Sequence, residues 1–371
     1  MKLIIGYDAK RYFLNRTGLG NYSRDLIRIL EDHYPENRYI KYSPKFEGFW
    51  FGSEDFKQTN KLPQGFINNL FPSLWRNRRI VEDLKRDQVQ IFHGLSGEIP
   101  IGLKEAKIKS VVTIHDLIFL RYPELYKPLD RWIYHRKAKY AIEHADRIIA
   151  ISEQTKKDIL QFYQVDEQKI EVIYQVCHPA FKQTISEDIQ NRIRQENNLP
   201  EQFVLNVGSI EPRKNAFQIV KAIENTGIPL LILGKETPYT DEIKAYIKEK
   251  GMEKQVIFLK GFTMEELAAI YRMASIFVYP SKFEGFGIPI IEALYAGTPV
   301  ITNRSGVFSE AAGPDSMYID PENIQEMREQ IVGLWNNPEK RQEMSEKGKR
   351  YVQRFNDEKI AAQIMNCYNS L

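Results

Sequence analysis

PSKFEGFGIPIIEALYAGTPVI, from Pro280 to Ile301, decides how this chain folds. The apolar run ASIFVYPS that leads into it reads as a buried strand. Pro289 stands where a helix begins, and Gly297 stands just past the point where it ends near Ala296. TPVITN then opens another apolar strand. Strand, helix and strand in so short a span form the crossover unit of a parallel sheet.

The same alternation extends on both sides. FVLNVGS, IPLLILG and QVIFLKG are further strands of the C-terminal half, each followed by a helical stretch or a helix-opening turn. In the N-terminal half KLIIGY, RYIKY, VQIFH, SVVTIHD, RIIAIS and KIEVIY read as strands. They are separated by the helical patterns LGNYSRDLIRILED, LWRNRRIVEDLKRD and DRWIYHRKAKYAIEHAD. The fold class is α/β, with two doubly wound, Rossmann-like domains. A polar stretch with Pro179 and Pro200 separates them, and the hinge falls near residues 176 to 186. The expected domains are 1–178 and 179–355. A last helical segment, 356–371, has the first domain as its candidate packing partner. Sheets of this kind bind ligands in the loops beyond the carboxyl ends of their strands, so a shared interdomain cleft is expected.

The 371 residues suit two domains of ordinary size. With 43% apolar and 27% charged residues the chain should fold throughout. A net charge of +3 does not suggest nucleic acid, although residues 1–180 carry roughly +6 and the remainder roughly −3. Cys177 and Cys367 are too few for a disulfide framework, and neither a leader nor a spanning segment is evident. A cytoplasmic protein is expected.

Four loops after strands carry candidate chemistry. In the first, Gly285, Phe286, Gly287 and Ile288 place backbone amides at a helix N-terminus, a ready anion site, between Glu284 and Glu292. Each carboxylate can accept a pair of sugar hydroxyls. A plain turn whose glutamates favour the helix start accounts for the same residues. In the second, EPRKN, Arg213 and Lys214 precede a helix that Asn215 is placed to cap, and a bound anion would relieve their opposition to its dipole. A solvated basic turn is the alternative. In the third, TGLGNYS, Gly18 and Gly20 form a flexible loop at the cleft or a simple glycine turn. In the fourth, His115 and Asp116 end SVVTIHD, where a histidine can bind a sugar hydroxyl, exchange a proton, or only cap the strand. No histidine or cysteine cluster has ligand spacing, so no metal site is expected.

Together these residues resemble glycosyltransferase family 4, retaining enzymes of the GT-B architecture, over nearly the whole chain. Glu284 and Glu292 in EGFGIPIIE match the family's paired glutamates, flanked by YPS and EALYAGTPVITN. The resemblance implies that Glu284 contacts the transferred sugar and Glu292 the ribose. It assigns sugar and phosphate to the 285–288 backbone and the diphosphate to Arg213 and Lys214. It gives Gly18 and Gly20 a donor-side loop role and turns His115 toward the sugar, with Asp116 beside it. Many members place arginine where this chain has Ser209 and glutamate where it has Arg213, so Arg213 stands in for the missing cation. The EPRKN and TIHDL segments are similar to mannosyltransferases of bacterial surface polysaccharide synthesis. They imply GDP-mannose as donor and a glycan or lipid-linked saccharide as acceptor. No permanent cofactor is implied. In the expected loops no Asp-x-Asp motif appears, and the cations would do what a divalent ion does elsewhere.

Arg76, Arg78 and Arg79 beside Phe71, Leu74 and Trp75, with Arg131, Arg136, Lys137 and Lys139 beside Trp132 and Tyr134, could rest on an anionic membrane leaflet. Solvated helix faces with buried aromatics are the alternative. A nucleotide-sugar epimerase or hydrolase on the same frame, or a non-catalytic sugar-nucleotide-binding protein, are the competing functions.

Overall fold

Among residues 2–46 and 58–371, which the computed structural model describes, every strand pairs in parallel with its neighbours. The chain divides into two units, Met1–Val176 with Phe355–Leu371, and Cys177–Arg354.

The first unit holds β1 (Ile4–Asp8), β2 (Arg38–Tyr42), β3 (Asn60–Lys61), β4 (Ile91–Gly94), β5 (Lys109–Ile114), β6 (Arg147–Ala150) and β7 (Ile170–Val172), in the order β3-β2-β1-β4-β5-β6-β7. The chain builds outward from β1 and then returns to place β4 on its other side, so the switch point lies between β1 and β4. The second unit repeats the plan with β8 (Val204–Val207), β9 (Leu230–Leu233), β10 (Val256–Leu259), β11 (Ile276–Tyr279), β12 (Val300–Asn303) and β13 (Met317–Ile319), ordered β10-β9-β8-β11-β12-β13. Its switch point lies between β8 and β11, in register at Val204 with Ile276 and Leu205 with Phe277.

Strands buried on both faces must be apolar nearly throughout, which is why these runs are rich in Ile, Val and Leu. Leu230, Ile232, Ile276, Val278 and Ile301 lie in one core with Ile219 and Ile331 from helices of the second unit. Val112, Ile114 and Ile148 pack with Ala141, Ile142 and Ile159 in the first. The structure adds β3 and β13 to the strands read from the sequence. Both are edge strands of two or three residues, too short to carry an apolar period.

The last helix, Asp357–Asn369, belongs to the first unit and packs on the helix Gly18–His33, where Arg28 pairs with Asp357 at 3.1 Å. The helical pattern LWRNRRIVEDLKRD folds with a π-helical turn at Trp75–Arg79. That turn corrects the surface reading of two residues. Trp75 is fully buried and donates Nε1–H to Asp83 at 2.6 Å, and Arg76 is held inward by Asp8 and Glu98. Lys137 is likewise bound to Glu98, at 3.1 Å. Among the described residues no helix is long and apolar enough to cross a membrane.

Candidate functional site

The loops after β8 and β11 flank the switch point of the second unit, and they are tied to each other. Backbone Lys282 N donates to Arg213 O at 2.9 Å, and Asn303, at the end of β12, donates Nδ2–H to Ser281 O at 3.0 Å. Into this frame Glu284 turns a carboxylate whose Oε1 meets Lys214 Nζ at 2.5 Å, Arg213 at 3.0 Å, Ser281 Oγ at 2.6 Å and the Tyr279 hydroxyl at 3.1 Å. None of these four contacts uses Oε2. Burial pushes the Glu284 carboxyl up, but Lys214 and Arg213 outweigh it and hold it below the usual carboxylate range.

Lys214 also donates to the Tyr279 hydroxyl at 2.8 Å, and Arg213 donates to Phe283 O and reaches Glu211 at 3.4 Å. The anion between the two cations is therefore Glu284 itself, where the sequence suggested a ligand. Asn215 stands at the N-cap of Ala216–Ala222 but in the left-handed region, at φ 63°. Its side chain donates to Pro321 O at 2.7 Å and does not cap.

Beyond Glu284 the chain enters the helix Ile288–Ala296 through Gly287 at φ 111°, a conformation open to glycine and strained for other residues. The first amides of such a helix have no intrahelical acceptor, and its dipole favours an anion. Glu292 lies one turn in, buried, and accepts from the Tyr271 hydroxyl at 3.0 Å. Gly285 and Phe286 complete the approach, with Phe286 buried.

In the first unit, Gly18 and Gly20 are not a loop. They occupy the first turn of Gly18–His33, and a Cβ on Gly20 would stand 1.8 Å from the backbone oxygen of Asn15. That contact, not flexibility, requires glycine there. Leu19 lines a cavity of about 250 Å³ with His115, Asp116, Glu98, Tyr126 and Lys137.

His115 Nε2 lies 2.8 Å from Leu95 O, and because a carbonyl only accepts, that nitrogen carries the proton. Nδ1 then accepts from Gln175 Nε2 at 3.3 Å, and the Tyr22 ring stands edge-on to the imidazole at 4.6 Å. Burial lowers the His115 pKa to about 4, so the ring is neutral at pH 7. Asp116 Oδ1 accepts from Ile118 N at 3.1 Å.

The structure thus gathers Arg213, Lys214, Glu284, Gly285, Phe286, Gly287, Ile288 and Glu292 around one switch point. His115 and Asp116 share a cavity with the Gly18–Gly20 turn in the other unit. Sequence reasoning passed over Tyr279 and Ser281, which complete the Glu284 cluster, although both lie in the YPS stretch just before it. It also passed over Tyr22, Leu95 O and Gln175, which no local signal marks because each meets His115 from a separate element. Among the described residues no three His, Cys, Asp or Glu side chains gather as a metal-holding group.

Comparison with known proteins follows the same division. Residues 17–179 match the model of Glycosyltransferase Family 4, and residues 188–351 that of Glycosyl transferases group 1. O-antigen chain mannosyltransferase B of Escherichia coli is 25% identical over 393 aligned positions, covering all of both chains. O-antigen chain mannosyltransferase RfbU of Salmonella typhimurium is 27% identical over 62% of this chain and 61% of its own length. Serotype-specific mannosyltransferase WbdA of Escherichia coli is 28% identical over 64% of this chain and 30% of its own length. Among solved structures, Anabaena Alr3699/HepE in complex with UDP and glucose superposes over the full length of both chains with a TM-score of 0.78 at 19% identity. WaaG, a glycosyltransferase involved in lipopolysaccharide biosynthesis, covers 98% of each chain with a TM-score of 0.71 at 17% identity.

The depressed pKa values set an acid limb in two stages. His93, lowered to about 3 by burial, and His115, lowered to about 4, bind protons more readily unfolded. Stability therefore falls as pH drops from about 6.5, the unfolded histidine value, toward these folded values, by at most about 1.4 kcal/mol per pH unit for each histidine. The contribution of Glu284, held low when folded, is present above the unfolded carboxyl value and is lost as pH falls through its folded value. Denaturant unfolding from pH 7 to pH 3 should show the first stage weakened in His93→Gln and the second weakened in Glu284→Gln. Unchanged limbs in both variants would contradict these assignments.

Proposed function

Because the chain belongs to the family 4 glycosyltransferases, its first half matching the model of that family and its second half that of the group 1 glycosyl transferases, we propose that it moves a hexose, mannose from GDP-mannose foremost, onto a glycan or lipid-linked saccharide acceptor with retention at the anomeric carbon. The observation that carries this reading is the convergence of Arg213, Lys214 and Glu284 on one switch point beside the N-terminus of Ile288–Ala296.

In the proposed reaction the bond between the anomeric carbon and the diphosphate oxygen breaks, and a bond from that carbon to an acceptor oxygen forms on the same face. Arg213, Lys214 and the 285–288 backbone stabilise the charge that develops on the leaving diphosphate. The acceptor proton passes to the departing phosphate oxygen, so no enzyme nucleophile is required. Glu284 Oε2 is assigned to a hydroxyl of the transferred sugar and Glu292, oriented by Tyr271, to the ribose. His115 and Asp116 are assigned to the sugar from the first unit. A neutral His115 whose two ring nitrogens are taken by Leu95 O and Gln175 suits a positioning role and leaves neither nitrogen for proton transfer. It also weighs against an epimerase, which needs an acid and base pair at the sugar.

Glu284→Ala and Lys214→Ala should each lower transfer by about 10²–10³ while the protein stays folded. Near-normal rates in both would sink the site assignment. In a thermal unfolding panel of nucleotide sugars, GDP-mannose at about 100 times its Kd should add about 2.7 kcal/mol of stability. Protection by a uridine donor instead would reassign base and sugar, and protection by none would remove the donor reading.

The acceptor is assigned to the first unit, together with peripheral contact at an anionic leaflet. Phe66, Leu70, Phe71, Leu129 and Trp132 are each more than half exposed. Leu74, Ile101 and Trp132 line a groove of about 430 Å³ with Arg78 and Arg136. Exposed apolar side chains with cations among them suit the boundary between acyl chains and anionic headgroups. The protein should sediment with phosphatidylglycerol vesicles, more weakly as salt rises, and Phe66→Ser with Trp132→Ser should release it. Equal binding to neutral vesicles, or no binding, would refute the contact.

A further inference from the structure

A chain of buried polar groups crosses the first unit and ends against His115. The Tyr7 hydroxyl in β1 lies 3.3 Å from that of Tyr368 in the last helix. The Tyr368 hydroxyl lies 2.7 Å from His93 Nδ1 in β4, and His93 Nε2 lies 2.8 Å from Thr113 Oγ1 in β5. Thr113 Oγ1 in turn lies 2.9 Å from the Tyr22 hydroxyl. These side chains are at most 7% exposed, so each polar atom depends on its neighbour in the chain. His93 is neutral, kept so by burial, and a neutral imidazole donates from one nitrogen and accepts at the other. The bond directions are therefore linked through the ring. If Tyr368 donates to Nδ1, then Nε2–H donates to Thr113. If Nδ1–H donates to Tyr368, Thr113 donates to Nε2.

Two of the contacts that locate His115, and the strand that leads into it, adjoin this chain. Leu95 O, which receives Nε2–H, lies two residues beyond His93. His115 lies two residues beyond Thr113. Tyr22, bonded to Thr113, sets its ring edge against the imidazole. Tyr368 is the member contributed by the last helix, 361 positions away from Tyr7 in sequence. A side chain fixed from three directions keeps one rotamer and one tautomer, and loosening such support at a reaction centre slows turnover even when nothing touching substrate is altered.

We propose that Tyr368, acting through His93, Thr113 and Tyr22, is a positioning residue that holds His115 in its Nε2-protonated orientation at the wall of the cavity it lines with Leu19 and Asp116. The inference rests on the proposed reading of His115 as a residue of the transfer reaction. The last helix then does more than close the fold, since its tyrosine completes the support of a site residue in the unit where the chain began.

The test combines kinetics with an observation independent of activity. With the nucleotide sugar selected by the unfolding panel, GDP-mannose first, Tyr368→Phe and Thr113→Val should each lower kcat about tenfold or more with the donor KM unchanged. Thr113→Ser, which keeps the hydroxyl, should restore the native rate. In a His115→Ala background, Tyr368→Phe should cost nothing further, because the group it positions is gone. Spectra of isotope-labelled histidine should show His115 as a single tautomer in the native protein and as a mixture in Tyr368→Phe.

An unchanged kcat in Tyr368→Phe would overturn the proposal, as would the same fold loss with and without His115. Native kcat in His115→Ala would instead sink the reading of His115 as a site residue. The spectra would then still decide whether Tyr368 holds the ring, a single tautomer in Tyr368→Phe counting against it.

Discussion

A carboxylate taken out of water is costly unless cations and donors replace its hydration, and at Glu284 two cations and two hydroxyls do so on a single oxygen. Lys214 and Arg213 come from the loop after β8, Glu284 and Ser281 from the loop after β11, so this one ionic cluster fastens two crossover loops across the switch point of the sheet. Removing one cation leaves the carboxylate to the other and to two hydroxyls, whereas removing Glu284 leaves two cations without the anion between them. The geometry of the candidate donor site depends on that constraint. The cations are held in place before any ligand arrives, and the helix Ile288–Ala296 follows Glu284 by one short turn through Gly287.

The first unit solves a different problem with neutral groups. Besides the Arg76, Asp8 and Glu98 cluster, it buries a hydrogen-bonded series of Tyr7, Tyr368, His93, Thr113 and Tyr22 in which no member is charged, and both His93 and His115 are kept neutral by burial. A charge-neutral network suits recognition of sugar hydroxyls, while the cationic loops of the second unit suit a diphosphate. Cations are not absent from the surroundings of His115, since Arg11 and Lys137, the latter from the helix Pro128–His144, line the same cavity.

The fold was legible because strands buried on both faces must be apolar. The eleven runs read as strands lie in the two sheets, with β3 and β13 added at edges where two or three residues carry no period. The limits of Ile288–Ala296 were legible for an equally local reason, proline at its start and glycine past its end. Other readings failed where a distant partner decided. Asn215 has the composition of a cap, yet Pro321 O takes its side chain. Arg76 and Trp75 look like an exposed basic and aromatic edge, yet Asp8, Glu98 and Asp83 draw them inward. Gly18 and Gly20 look like a flexible loop, yet the close approach of Asn15 O makes the second of them a packing requirement.

The amino-acid sequence by itself determined two parallel α/β sheets, the loops in which chemistry would reside, and the residue types in those loops, because periodicity and helix punctuation are local properties. Which side chains meet was decided by the tertiary structure. Arg213 and Lys214 joined Glu284, and Leu95 and Gln175 joined His115, because parallel crossovers bring the ends of separate strands together. The same is true of Tyr368, which reaches His93 from the far end of the chain. Such contacts satisfy polar groups across long sequence separations, and no local pattern records the partner that a buried hydrogen bond will find.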